Sequence, residues 1–303
     1  MRWLELVLQV PPKDADAMAE VLAPYCYGGA VAEPALEGVP GSEDPVLSAE
    51  RPTLIRCYLP IDQEIDSKRS NLLAAVRAVS QHLAVSERET AEEDWAEVWK
   101  RHFKSRRIGH HIVIKPTWER YRARPGDIVI ELDPGMAFGT GDHSTTRACL
   151  RALEQYLRPG YKVLDLGTGS GILAIAAARL GASAVLALDT DPLAVRAARE
   201  NCALNQVAGT VTVQPGSLER TQEQGWQQAD LLLANLNSQL HMEMAPDIIG
   251  ALSAGGIAVA SGIGAQALRR VSAAYRRAGA QRIAARRHGE WRTLILRRGP
   301  AKA

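Results

Sequence analysis

The run from Trp3 to Val10 reads as a strand, and Asp14 and Asp16 then open an Ala/Met/Leu helix over 15–23. Residues 33–52, polar and carrying glycine and proline, predict a surface loop. A strand over 53–60 follows, then a helix over 67–83 with Leu72, Leu73, Val76 and Val79 on one face. The resulting βα(β)βα pattern predicts a small α+β, ferredoxin-like domain of about 90 residues with no recognisable chemistry of its own. Trp95 and Trp99 stand four apart within 92–104, so a helix there places both indoles on one face. The segment reads either as a helical linker or as a hinge facing the substrate. Beyond it, strands over 111–116 and 127–132 flank a turn at Arg124-Pro125-Gly126, and 133–143 is too rich in glycine for regular structure.

From residue 145 the pattern becomes a regular alternation. Helices are predicted over 145–156, 171–180, 192–205, 239–252 and 265–278, and strands over 162–166, 184–189, 210–214, 229–235, 257–261, 281–286 and 291–297. The apolar runs at 184–188 and 231–234 are nearly continuous, as in strands covered on both faces of a parallel sheet. A doubly wound, Rossmann-like α/β sheet follows, with ligands expected at the carboxyl ends of its strands. The chain thus divides into a recognition domain over 1–90, a connector over 91–106 and a catalytic domain over 107–303.

Chemistry concentrates where the strand ending Val163-Leu164-Asp165-Leu166 runs into Gly167-Thr168-Gly169-Ser170-Gly171 and a helix. Glycines there let a ligand lie on the turn and accept hydrogen bonds from backbone N–H groups at the helix start. Asp189 ends the next strand, in place to accept hydrogen bonds from two ribose hydroxyls. An adenosine ligand is implied. Dinucleotide sites read G-x-G-x-x-G because a pyrophosphate rests on the turn; this loop is G-x-G-x-G, with Asp165 upstream where a phosphate would be repelled. A carboxylate suits a cationic ligand instead, such as the ammonium of S-adenosylmethionine. No G-x-x-x-x-G-K-[ST] motif is present, which argues against an NTPase.

Composition adds little to this picture. Among 303 residues, 46% are apolar and 23% charged, which excludes disordered and fibrous classes. No window approaches the roughly 18 apolar residues that span a bilayer, and no signal-peptide cleavage site follows the amino terminus. Cys26, Cys57, Cys149 and Cys202 are scattered with no C-x-x-C pair, predicting no metal cluster and a reducing, cytoplasmic setting. The formal charge of +2 hides an asymmetry: residues 265–303 carry ten Arg and one Lys against one Glu, a net +10, leaving −8 to the rest. A basic end reads either as a solvated face or as attraction to nucleic acid.

Four motifs together carry a family resemblance. LDPGMAFGTGDHSTT over 132–146, VLDLGTGSGILAIAAARLG over 163–181, DTDP over 189–192 and ANL over 234–236 resemble the ribosomal protein L11 methyltransferases (PrmA family) across about residues 92–298. The resemblance implies a class I fold and methyl transfer from S-adenosylmethionine to lysine side-chain and amino-terminal amines of ribosomal protein L11, free or in the large subunit. By motif position it implies cofactor contacts at Thr146, Gly167, Asp189 and Asn235, with Asp165, Gly169 and the Phe138-Gly139-Thr140-Gly141 loop completing the pocket, no metal, and a monomer. Leu236 stands where the family commonly has Ile, and Ser144 where it often has Pro. Both departures are mild.

Other readings stay open beside this one. Asn235 is the candidate to orient the amine, because its carbonyl holds a neutral amine without favouring the ammonium as a carboxylate would. The chain could instead methylate another protein lysine or ribosomal RNA, although Asn235-Leu236-Asn237-Ser238 lacks the Asn-Pro-Pro-Tyr-type aromatic that stacks on a flipped base. A cofactor-binding module without turnover is the third reading. His143 serves either a structural hydrogen bond or the pocket, and Thr145 is a candidate helix cap. His110-His111 reads as a surface pair on a strand.

Overall fold

The computed structural model describes residues 2–22, 25–26, 30–33, 35–37, 46–47, 51–80, 83–91, 104–132, 143–219, 221, 226 and 228–299. The chain divides into two compact units, Met1–Phe103 and Lys104–Ala303. The Trp95/Trp99 segment and the 138–141 loop lie outside the described residues.

In the first unit β1 (Arg2–Val10), α1 (Ala15–Leu22), β2 (Val31–Glu33), β3 (Leu36–Glu37), β4 (Val46–Leu47), β5 (Thr53–Pro60), α2 (Ile65–Val79) and β6 (Val85–Ala91) follow in order. The sheet runs β2-β5-β1-β6, all antiparallel, while among the described residues β3 and β4 pair with each other. Alternation along β1 places Leu6, Leu8 and Val10 against Ile55, Cys57, Leu59, Met18, Leu22, Leu72 and Val76. Each such side chain contributes roughly 1.5–3 kcal/mol by leaving water. On the other face Glu5 is buried, accepting from Tyr58 Oη and Arg56, each at 2.8 Å. Two expectations need correction. The loop expected over 33–52 contains the β3–β4 pair, and β6 is a seven-residue strand the pattern did not predict, because Ser86 to Glu89 are exposed on the sheet edge.

The second unit opens with β7 (Arg106–Ile108), β8 (Ile112–Lys115) and β9 (Ile128–Glu131) in one small sheet. His110 and His111 sit in the turn between β7 and β8 rather than on a strand. There Glu154 accepts the backbone N–H groups of His110, His111 and Ile112 at 2.8, 2.7 and 2.9 Å.

The main sheet is built from β10 (Lys162–Leu166), β11 (Ala184–Asp189), β12 (Val211–Pro215), β13 (Ala229–Asn235), β14 (Leu252–Gly264), β15 (Ala280–His288) and β16 (Trp291–Arg298), interleaved with α3 (Ser144–Tyr156), α4 (Ile172–Arg179), α5 (Pro192–Leu204), α6 (Ser238–Gly250) and α7 (Leu268–Arg277). Its order is β12-β11-β10-β13-β14-β16-β15, parallel through β14 and antiparallel over the last three. Val163, Val185, Leu231 and Val259 face the layer of α3, α4 and α5. Leu164, Leu186, Leu232 and Ala258 face α6 and α7. Strand order reverses beside β10, which sets a crevice at the carboxyl ends of β10, β11 and β13.

Candidate active site

The glycine turn after β10 departs from the expectation that its backbone N–H groups face a ligand. Gly167 and Thr168 both donate to the Leu188 carbonyl at 2.9 Å, Gly169 donates to Asp189 Oδ2 at 2.9 Å, and Gly171 donates to the Thr168 carbonyl at 2.9 Å. These four backbone donors are spent on the protein. The turn therefore offers a ligand a bare, close-approach surface in place of a row of N–H groups, which fits a ligand without a pyrophosphate. At Gly167 a Cβ would come within 2.7 Å of the Leu236 side chain, so the turn also sets how closely the β13 corner approaches.

Asp189, half-buried at the end of β11, takes the Gly169 N–H on Oδ2 and the Asp191 N–H on Oδ1 at 3.0 Å. Each oxygen keeps a further lone pair, the arrangement needed to accept two vicinal hydroxyls. Asp165 lies fully buried under the turn: Oδ2 accepts from Thr168 Oγ1 at 2.6 Å, the Ala174 backbone N–H lies beside the carboxyl, and Oδ1 has no partner at hydrogen-bond geometry among the described residues. Burial pushes its carboxyl up to about 7, against the pull of the Thr168 hydroxyl and the Ala174 backbone N–H.

That shift has a sign. A carboxyl whose folded value lies above its unfolded one contributes stability below the unfolded value near 4 and loses it as pH rises through about 7. The ligand-free protein is expected to lose thermal stability between pH 5 and pH 8, and Asp165→Asn to flatten that decline. Melting curves at both pH values check this.

Asn235 ends β13, and its Nδ2 approaches Thr146 Oγ1, in the first turn of α3, at 3.5 Å. The cap of α3 is His143 rather than Thr145: its Nδ1 accepts from the Thr145 N–H at 3.4 Å and lies 2.6 Å from Thr145 Oγ1. Thr146 and Asn235 are thus brought together from positions 89 residues apart.

Several residues that sequence reasoning missed build the wall behind Asn235. The Ser261 carbonyl accepts both the Leu236 N–H at 3.1 Å and His241 Nε2 at 2.8 Å, and His241 Nδ1 lies 2.7 Å from the Tyr275 hydroxyl. A carbonyl only accepts, so Nε2 carries the proton and Nδ1 accepts from Tyr275. Burial holds His241 down at about 4, keeping it neutral. Gly262 has φ +80°, and a Cβ there would lie 2.3 Å from the Leu236 carbonyl oxygen. Asn205 joins the end of β9 like a strand partner, accepting the Glu131 N–H at 2.8 Å and donating to its carbonyl at 2.6 Å. Residue spacing gave no signal for these long-range bonds; Gly262, within the otherwise strand-like run 257–263, is a local hint of a bulge.

The strand order, the glycine turn with its donors turned inward, an acid ending the second strand and an asparagine ending the fourth define a class I methyltransferase that uses S-adenosylmethionine. Comparison with known proteins is specific. A family profile described as ribosomal protein L11 methyltransferase (PrmA) matches residues 2–299. Proteins named ribosomal protein L11 methyltransferase from Chloroflexus aurantiacus and Pelotomaculum thermopropionicum are each 43% identical, over 98% of this chain and 98% and 99% of theirs. A crystal structure of ribosomal protein L11 methylase from Lactobacillus delbrueckii subsp. bulgaricus superposes with a TM-score of 0.60 at 33% identity, over 65% of this chain and all of that one. The chain belongs to the ribosomal protein L11 methyltransferase family.

Proposed function

We infer that this chain transfers methyl groups from S-adenosylmethionine to amines of ribosomal protein L11, on lysine side chains and the amino terminus. Family membership over nearly the whole chain is the observation that carries this. The residues at the carboxyl ends of the strands fit the cofactor: Asp189 offers acceptors for the ribose, Gly167 and Gly169 let it lie close, and the buried Asp165 carboxyl beneath the turn suits its ammonium. Thr146, Asn235 and the Phe138-Gly139-Thr140-Gly141 loop complete the proposed contacts.

The bound cofactor supplies a methyl already activated by the sulfonium, so no strong base is needed. The chain's task is to align a neutral amine and exclude water. Asn235 gives one amide hydrogen toward Thr146 and keeps its carbonyl to accept from the amine. A lysine near pKa 10.4 must first lose its proton, and a site that holds the neutral form favours that loss. Asn235→Ala is expected to lower kcat by about a hundredfold through lost alignment, with cofactor affinity changed only a few-fold. Full turnover in that variant would remove Asn235 from this role.

Residues 1–90 are assigned to substrate recognition, 91–106 to the connector and 107–303 to catalysis. The free thiols of Cys26, Cys57, Cys149 and Cys202 are in keeping with a cytoplasmic enzyme, and no described helix is long and apolar enough to cross a membrane. The deciding assay incubates the protein with methyl-labelled S-adenosylmethionine and purified L11, ribosomal RNA or no acceptor. Label is expected in L11; label in RNA and not in protein would overturn the reading.

A further inference from the structure

Asn235 on β13 pairs in register with Ser261 on β14, a fully buried hydroxyl in the otherwise apolar stretch 257–263. The pairing of β14 with β16 slips just there. Ala260 faces Leu294 and Ile263 faces Arg292, so Ser261 and Gly262 together stand opposite Thr293. A bulge of this kind bends a strand and re-aims a side chain. It carries the Ser261 hydroxyl to the Thr145 carbonyl at 3.3 Å and to Thr293 Oγ1 at 2.8 Å, with the Cys149 thiol beside it.

The protons of this group follow from its partners. A carbonyl only accepts, so the Ser261 hydrogen goes to Thr145 and the Thr293 hydroxyl donates to Ser261 Oγ. The Ser261 carbonyl in turn takes the Leu236 N–H and His241 Nε2. One residue therefore holds the backbone on both sides of the pocket, at Thr145 next to Thr146 and at Leu236 next to Asn235. Thr146 and Asn235 are the two residues whose side chains meet at 3.5 Å. That bond sits at the long limit for N–H···O, so a small displacement at either end breaks it. While it holds, the Asn235 amide hydrogen points to Thr146 and the carbonyl oxygen is left for the amine. An inverted carboxamide would offer N–H groups instead, and these would engage the lone pair with which the amine attacks the methyl.

We propose that Ser261, set by its bulge, is a positioning residue for methyl transfer: through the backbone at Thr145 and Leu236 it keeps Thr146 against Asn235 and so keeps the Asn235 carbonyl turned toward the amine. The inference rests on the role given to Asn235 above and deepens it. Being fully buried, Ser261 acts through its neighbours and not by touching the acceptor. Two buried hydroxyls that served the sheet alone would need only each other. The further bond from Ser261 to the Thr145 carbonyl is what ties the start of α3 to the strand that faces Asn235.

The test is a double-mutant cycle on the single-turnover rate with L11 at saturating S-adenosylmethionine, using the full chain with Ser261→Ala, with Asn235→Ala and with both. Ser261→Ala removes the hydroxyl and leaves the carbonyl. It is expected to lower the rate at least about tenfold, with cofactor affinity within a few-fold of wild type. In the Asn235→Ala background the same change should cost less than about threefold, because the carboxamide it orients is gone. An equal cost in both backgrounds would overturn the proposal, since a hydroxyl that only stabilises the fold acts whatever stands at position 235. So would a wild-type rate in Ser261→Ala. If that variant melts below the assay temperature, Ser261→Cys, which fills the space and donates only weakly, carries the same cycle with the same two outcomes. Full turnover in Asn235→Ala would remove the Asn235 role and this proposal with it, whereas a loss there beside an unchanged Ser261→Ala overturns the positioning alone. Wild-type protein that labels RNA and not L11 refutes only the acceptor assignment, and the cycle then runs on RNA.

Discussion

Asp189→Asn is expected to raise the KM for S-adenosylmethionine by about a hundredfold, with the fold intact, since hydrogen bonds to a charged group are worth about 1.5–3 kcal/mol each. The carboxylate stands between two sets of donors. From the protein side it takes the Gly169 and Asp191 N–H groups at 2.9 and 3.0 Å. From the ligand side it is placed for two hydroxyls. Asparagine keeps the shape but turns one acceptor into a donor, so an N–H must face an N–H on one side of the carboxamide. Either the glycine turn shifts or the ribose loses a contact. Calorimetric titration with the cofactor, alongside far-ultraviolet circular dichroism, measures the effect. Affinity within threefold of wild type would dismiss the ribose assignment.

Gly262→Ala is expected to lower kcat by at least about a hundredfold, the cost of misplacing a reacting group by an ångström or so. A Cβ there would lie 2.3 Å from the Leu236 carbonyl oxygen and 3.3 Å from Asn235 Oδ1. The near neighbour is backbone, so no side-chain rotation relieves the overlap, and the corner bearing Asn235 must move. The left-handed backbone adds about 1–2 kcal/mol for any residue with a Cβ. Gly255→Ala separates the two causes: it sits at φ +78° with nothing within 4 Å of its Cβ position. That control should show the stability loss and retain turnover. Equal loss of activity in both variants would mean that the Asn235 corner is not what Gly262 protects.

What the amino-acid pattern made legible was whatever is encoded by neighbours in the chain. The fully covered strands Lys162–Leu166, Ala184–Asp189 and Ala229–Asn235 read correctly to the residue, because burial on both faces demands continuous apolar runs. Edges read poorly. Val85–Ala91 carries charge on exposed positions and is a strand only because β1 pairs with it. Arg106–Ile108 is too short to show a period, and Gly255-Gly256 hid the first part of Leu252–Gly264, predicted only over 257–261. The site divided in the same way. Gly167, Gly169, Asp165 and Asp189 lie within one short stretch and were visible as a motif. The bonds from His241 to Tyr275 and Ser261, and from Asn205 to Glu131, join positions tens of residues apart, and only the folded chain reveals them.

The inward-turned donors of the glycine turn bear on competition inside a cell. ATP and the nicotinamide dinucleotides share adenine and ribose with the methyl donor and are abundant, so a grip on ribose alone discriminates poorly. Discrimination has to come from what lies beyond the sugar. A phosphate brought to this turn would shed its water and find the N–H groups of Gly167, Thr168, Gly169 and Gly171 already occupied, with the Asp165 and Asp189 side chains nearby. A buried polar group without replacement hydrogen bonds is penalised heavily, and an unpaired charge more so. With the proposed cofactor site at this turn, the occupied donors disfavour a phosphate and so favour the methyl donor over the nucleotides.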